Sequence, residues 1–375
     1  MKKFLAVILA LVMVLSLVAC GQEAAPADEG GEEVAAEYKV AMITDYGDIT
    51  DQSFNQTTYE ACKDFSEANG VEFTYFKPAT NDDAGRVAMI ESAIDQGFNV
   101  IVMPGYAFGP AIMETAEPNA DVTFVALDVG EGDLPNYTVP SNLYCAVYQE
   151  ELCGYMAGYA AVKMGYTKLG FLGGMAVPAV VRYGYGFVQG VDAAAAELGL
   201  TDVECNYVYG GQFFGDDAIT AVMDTWYSAG TECVFACGGG IYTSAAEAAA
   251  KVDGKVIGVD VDQAGIIDGQ YGEGMTVTSA MKGLAATVQT VLGKIVAGEF
   301  EGGKIDTLGL VSDVPAENYV QIAGSTQFCD TFTQADYEAL VAAMNAGSIK
   351  VSNDITVAAA DLATVITVNE QASIH

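Results

Sequence analysis

Val40-Ala41-Met42-Ile43-Thr44-Asp45-Tyr46-Gly47-Asp48-Ile49-Thr50-Asp51-Gln52-Ser53-Phe54-Asn55-Gln56 begins as an apolar run and ends as the start of a helix. A short apolar run bounded by turn residues reads as a buried strand. Beyond it Ala61, Cys62, Phe65 and Ala68 fall on one helical face, and Gly70 can close that helix in the left-handed conformation. Ser53 and Gln56 have the S-x-x-Q spacing of a capping box, which predicts that the helix starts there. Phe54 and Asn55 then lie in its first turn, beside the carboxyl end of the strand. Open α/β sheets bind their ligands at that end. A ring (Phe54), an amide (Asn55) and a carboxylate (Asp45) in such a turn suit a flat polar ligand. Local pattern alone serves equally well for Phe54 as a staple into the core.

The same alternation continues outward. Val71–Phe76 has a strand pattern, Val87, Ile90 and Ile94 share a helical face that stops at Gly97, and Asn99–Met103 is a second apolar run. A further helix leads to Val122–Leu127, which ends in Asp128 at the same rim as Asp45. Apolar strands alternating with helices mark a parallel sheet covered on both faces. The alternation then recurs. Glu150–Ala161 reads as a small-residue helix, and Lys168–Gly174 as a strand ending in glycines. A helix after Pro178 carries Tyr183 and Phe187, and Cys233–Cys237 runs into Gly238-Gly239-Gly240. A glycine loop at a strand end lets backbone N–H groups approach a ligand closely. It lacks the Gly-Lys-Ser/Thr ending of a nucleotide-binding P-loop, and no G-x-G-x-x-G follows the first strand.

Composition narrows the function. There are 375 residues, 51% of them apolar, enough for two domains of ordinary size. Fifteen Lys+Arg face fifty Asp+Glu, a net charge of −35, which opposes binding to nucleic acid or to anionic lipid through the folded body. The one histidine is His375, so neither His-based catalysis nor a His metal site is expected. No nucleophile–base pair and no cofactor loop accompany the carboxylates, so the chain reads as a binder and not as an enzyme. Seven cysteines follow Cys20 without a CxxC pair, and Cys62, Cys145 and Cys153 fall in or next to apolar patterns, as buried small hydrophobes do.

Three motifs in order carry a resemblance: Asp45 followed by Asp51-Gln52-Ser53-Phe54-Asn55-Gln56; Ile257-Gly258-Val259-Asp260-Val261-Asp262-Gln263; and Thr278-Ser279-Ala280-Met281-Lys282. Together they resemble the basic membrane protein family of lipoproteins similar to purine nucleoside receptor A, the binding components of nucleoside ABC importers. The likeness spans about 39–351. It implies an α/β, type I periplasmic-binding-protein-like fold: two doubly wound parallel-sheet lobes joined by three hinge crossings. Lobe one is expected over 38–142, with about 283–315 returning to it. Lobe two is expected over 143–282, with about 318–375 returning to it. A closing helix near 335–345 and a short strand in Gly347–Val351 are expected from the same likeness, whereas Ala358–His375 carries no assignable pattern.

The implied ligand is a purine nucleoside such as inosine, guanosine or adenosine, bound by a monomer without a cofactor and passed to an ABC permease. The resemblance places a stacking aromatic at Tyr183, opposite Phe54. Asp45, Asn55 and Asp128 would meet the polar edges of the base; Asp260, Lys282 and the amides of Gly238 and Gly239 would hold the ribose. The alternative on the same fold is a receptor for a sugar or signal molecule such as ribose.

The N-terminus predicts a tether. Lys2 and Lys3 precede the apolar run Phe4–Val18, a signal-peptide layout over residues 1–19, and Leu17-Val18-Ala19-Cys20-Gly21 resembles a bacterial lipobox. Residues 20–37 would be the lipidated Cys20 and a flexible acidic tether of Ala, Gly and acid. The folded part would then sit on the extracytoplasmic face of the bacterial membrane, held by lipid alone. Cys20→Ser is expected to release the protein from membranes on cell fractionation; undiminished membrane retention would refute the lipid anchor.

Overall fold

The computed structural model describes residues 38–375; the expected signal segment, Cys20 and the expected tether lie outside the described residues. Strands and helices alternate from the start: β1 (Lys39–Ile43), α1 (Phe54–Asn69), β2 (Glu72–Phe76), α2 (Asp83–Asp95), β3 (Val100–Pro104), α3 (Gly109–Thr115), β4 (Thr123–Leu127) and β5 (Leu143–Tyr148). A second series follows: α4 (Glu150–Lys163), β6 (Lys168–Gly173), α5 (Pro178–Leu198), β7 (Glu204–Tyr209), α6 (Asp217–Ser228), β8 (Cys233–Cys237), α7 (Tyr242–Ala250), β9 (Lys255–Asp260), α8 (Ala264–Tyr271) and β10 (Thr276–Lys282). The chain ends with α9 (Leu284–Val296), β11 (Lys304–Leu308), β12 (Val320–Ile322), α10 (Gln334–Asn345) and β13 (Thr367–Glu370).

Two sheets form. The first has the order β11-β5-β4-β3-β1-β2 and is parallel throughout. The second has the order β12-β10-β9-β8-β6-β7-β13, with only β12 antiparallel to its neighbour. The central strands β3, β8 and β9 are apolar along almost their whole length because helices cover both faces. In the second lobe Phe235 gathers Phe171, Tyr183 and Phe187 around it at 5.3–6.0 Å between ring centres. The six cysteines from Cys62 to Cys237 are buried free thiols, and Cys329 is an exposed one.

The chain crosses between the lobes three times: at Gln149, at Gly283, and over residues 309–319. The crossings bond to one another. The Gln149 N–H donates to the carbonyl of Leu308 (2.9 Å), that of Gly283 to Tyr319 (2.7 Å), and that of Tyr319 to Gly309 (3.0 Å).

Three features differ from the sequence-based expectation. The lobe boundary moves from 142/143 to Gln149, because Leu143–Tyr148 is not the start of lobe two. It is a strand paired in parallel with β4 on one side and β11 on the other. Gly347–Val351 forms no strand; the adjoining Ser352 instead exchanges two hydrogen bonds with the Gln189 amide on α5, at 2.8 and 2.9 Å. The unassigned C-terminal stretch supplies β13, which extends the second sheet beyond β7.

Helices α4 and α5 pack with their backbones nearly touching. A Cβ on Gly154 would stand 2.2 Å from the carbonyl oxygen of Tyr183, and one on Gly186 would stand 2.0 Å from that of Glu151. No side chain fits there, and the closeness holds the second and third turns of α5 against the start of α4. Gly186→Ala is therefore expected to lower stability by about 1–3 kcal/mol in denaturant unfolding, the usual cost of forcing extra volume into a packed core. An unchanged midpoint would mean that the helices can part without loss.

Candidate functional site

The start of α1 is organised by Asp51. Its carboxylate accepts the backbone N–H groups of Ser53 (2.9 Å), Asn55 (2.9 Å) and Gln56 (3.0 Å). A carboxylate there satisfies free donors and complements the helix dipole. The expected capping box does not form. Ser53 makes no side-chain cap and instead donates its hydroxyl to Oδ2 of Asp260 in the other lobe, at 2.6 Å. Gln56 accepts from the Gln52 N–H at 3.1 Å.

Three strand ends bring charge to the same place. Asp128 follows β4 and Asp260 ends β9, both in the left-handed region at φ 57° and 64°. That conformation is uncommon outside glycine, and Asp is among the residues that tolerate it. Lys282 ends β10 with a side chain only 3% exposed. Its ammonium lies 2.5 Å from Asp128, 3.5 Å from Glu150 and 3.8 Å from Asp260. It also lies 4.7 Å from the ring centre of Phe54, 5.5 Å from Tyr148 and 5.7 Å from Tyr183. Burial alone would lower the Lys282 pKa, but Asp128, Asp260 and Glu150 outweigh it and hold the ammonium charged, above its usual range. Burial lifts the Asp128 carboxyl to about 6 while the Lys282 ammonium opposes it. Behind Lys282, the wholly buried Glu150 accepts from Nε of Arg182 at 2.6 Å.

A cleft of about 630 Å³ lies between the lobes, within the usual range for small-molecule sites. All nine residues singled out from sequence line it: Asp45, Phe54, Asn55 and Asp128 from lobe one, and Tyr183, Gly238, Gly239, Asp260 and Lys282 from lobe two. Asp45 accepts the backbone N–H groups of Tyr46 and Gly47 at 2.6 and 2.7 Å, and burial raises its carboxyl. Gly238 and Gly239 have φ of 144° and 53°, and a Cβ on either would press against Phe213.

Tyr183 is placed differently from the expected stacking ring. It is 2% exposed, lies edge-on to Phe235, and donates its hydroxyl to Asp260 at 3.3 Å. Because the Lys282 ammonium sits among the rings of Phe54, Tyr148 and Tyr183, the Phe54–Tyr183 pair does not form an open slot in this conformation. The rings that face each other at the mouth are Tyr46 of lobe one and Phe213 of lobe two, 6.5 Å apart. Neither was singled out from sequence, nor were Arg182 and Glu150. Arg182 directly precedes Tyr183, and Glu150 opens α4; only the fold shows that they pair.

The cleft wall is acidic, with seven carboxylate residues against Lys77, Arg182 and Lys282. Such a wall disfavours phosphorylated ligands and favours neutral ones rich in hydrogen-bond donors. Contacts between the lobes hold them together: Ser53 to Asp260, the Gln263 amide to the Gln52 carbonyl (3.1 Å), and the Tyr46 hydroxyl to the Met175 sulfur (3.3 Å). The conformation is a closed one.

Two doubly wound lobes, three crossings and a ligand cleft between strand ends define a type I periplasmic-binding-protein-like substrate-binding protein. The fold matches an ABC transporter solute-binding protein from Aeropyrum pernix, with a TM-score of 0.65, 20% identity, and coverage of 84% of this chain and 87% of that one. It also matches a periplasmic binding protein from Alkaliphilus metalliredigens complexed with D-xylulofuranose, with a TM-score of 0.54, 14% identity, and coverage of 76% and 97%. Among sequence relatives, the ABC transporter nucleoside-binding protein BmpA of Lactococcus lactis is 28% identical over 80% of this chain and 87% of its own length. Basic membrane protein B of Borreliella burgdorferi is 27% identical over 75% and 81%. The profile of the Bmp family, described as ABC transporter substrate-binding protein PnrA-like, matches residues 38–324, and the chain belongs to that family.

Beside the site, Glu151 is 2% exposed and its Oε2 has no partner. Burial, helped by Glu150, raises its carboxyl to about 7 from an ordinary 4.5. The folded state therefore binds more protons than the unfolded state between these values, and stability falls as pH rises from about 4.5 to 7. Glu151→Gln is expected to make this slope shallower and to raise stability above pH 7 by up to about 3 kcal/mol. Urea unfolding at pH 5 and pH 8 checks it; an unchanged slope in the variant would exclude Glu151 as its source.

Proposed function

We propose that the chain captures a purine nucleoside in the interlobe cleft and delivers it to an ABC importer, tethered by lipid on Cys20 outside the cytoplasm. The observation that carries the nucleoside reading is the division of the cleft wall. Half-buried rings (Phe54, Tyr46, Phe213) stand beside the carboxylates of the half-buried Asp128 and the buried Asp260 on one continuous surface. A base has a π-face for the rings, and a ribose has hydroxyl donors for the carboxylates. The Lactococcus relative, named for nucleoside binding, supports the same reading.

In this mechanism Phe54 stacks against the base, with Phe213 closing over it from lobe two. Asp45, Asn55 and Asp128 meet the polar edges of the base. Asp260, Lys282 and the Gly238–Gly239 amides hold the ribose, and Tyr183 acts through its hydroxyl by fixing Asp260. Ligand that touches both lobes gains contacts only in the closed state, so it shifts the population toward closure, and the importer reads that closure. The work is capture, without bond making or breaking.

Titration calorimetry with inosine, guanosine, hypoxanthine and ribose tests the reading. The nucleosides are expected to bind far more tightly than either fragment. Phe54→Ala is expected to weaken nucleoside binding roughly 5- to 150-fold, from the loss of one stacking contact. Ribose binding as tightly as inosine would instead make the protein a sugar receptor.

A further inference from the structure

We infer that Arg182, with Asp128 and Asn55, selects 6-oxopurine nucleosides, guanosine and inosine, over adenosine. The inference rests on the nucleoside reading above and names which nucleosides that site prefers. Arg182 sits in the second turn of α5 with its side chain 18% exposed, on the cleft wall. Its Nε is bonded to the buried Glu150 carboxylate at 2.6 Å. Among the described residues its guanidinium makes no other hydrogen bond. The Glu150 anchor restricts the guanidinium plane while leaving the two terminal nitrogens for a ligand, so the donor fork is set before binding.

Lobe one offers the complement. Oδ2 of Asp128 is held by Lys282, but its Oδ1 is buried without a partner. Asn55 donates Nδ2 to Oδ2 of Asp51 at 3.2 Å. A carboxylate only accepts, so this bond fixes the amide orientation and leaves Oδ1 as the free acceptor, which is also buried and unpartnered. Buried acceptors left open cost stability until a donor reaches them. The site thus lacks one acceptor pair for Arg182 and N–H donors for Asp128 and Asn55.

A 6-oxopurine supplies both. O6 and N7 lie side by side on one edge, the arrangement that an arginine fork reads in guanine. N1–H, joined in guanine by the exocyclic amine, gives donors on the adjoining edge. Adenine reverses the pattern: its N6 amine would oppose the guanidinium, and its N1 would oppose a carboxylate. Base mismatch at one such bidentate contact corresponds to roughly 5- to 150-fold in affinity.

Calorimetry of the full folded chain with guanosine, inosine, adenosine and 7-deazaguanosine tests this. Guanosine and inosine are expected to bind tighter than adenosine by the factor just given, and 7-deazaguanosine, which lacks N7, more weakly than guanosine. Arg182→Lys keeps the charge but loses the fork, so it is expected to shrink the guanosine-to-adenosine ratio toward one, with guanosine losing more affinity than adenosine. Adenosine binding as tightly as guanosine to the unaltered protein overturns the inference while leaving nucleoside capture intact. So does an Arg182→Lys variant that weakens every nucleoside alike. If that variant does not fold, the 7-deazaguanosine comparison on the unaltered protein decides alone. Binding of ribose but of no nucleoside removes both readings.

Discussion

The buried ammonium of Lys282 is the constraint on which the rest of the site depends. Taking an ammonium out of water costs several kcal/mol, and only well-placed opposite charges offset that cost. Here the partners come from three elements: Asp128 from the end of β4, Glu150 from the start of α4, and Asp260 from the end of β9. Two of them share Lys282's lobe and one does not. The ammonium therefore ties the two sheets together at their carboxyl ends. Arg182 joins the same network through Glu150, so the charges around the cleft are interdependent.

Much of this was readable in the chain, and the reason is local. An apolar run that stops at a carboxylate, as at Met42–Asp45, Leu127–Asp128 and Val259–Asp260, marks both a buried parallel strand and its ligand-facing end. The three motifs tied those ends to one family. What was not legible depends on partners remote in sequence. Leu143–Tyr148 is a strand because β4 and β11 flank it, and nothing near it announces β11. Ser53 looked like a cap because its spacing is that of a cap; Asp260, 207 residues away, takes its hydroxyl instead. Tyr183 was expected to stack because the family resemblance places a stacking aromatic at its position. Its burial against Phe235 becomes visible only once α5 is seated on α4.

The acidity of the chain has a local meaning here. The net charge of −35 gives solubility wherever it is spread, but seven carboxylates on one cleft wall also act as a filter. A ligand with a phosphate meets repulsion before it reaches Lys282, whose ammonium is already engaged by carboxylates. A neutral ligand that offers donors finds Asp128 and Asn55 each with an oxygen unpaired. Charge thus excludes one chemical class, while hydrogen-bond vacancies admit another.

The crossings at Gln149, Gly283 and Tyr319 bond to each other or to their immediate neighbours, so they form a single narrow strip. Glu150 and Lys282 are the next residues in the chain to two of them. Any rotation of the lobes about that strip gives these charges a short lever arm and gives Tyr46, Phe213 and Met175 at the mouth a long one. Opening the cleft by a given angle thus parts the rings widely while hardly stretching the ion pairs. On such a rotation the floor of the site would move least, and a ligand settled there would need only the rim to swing shut behind it.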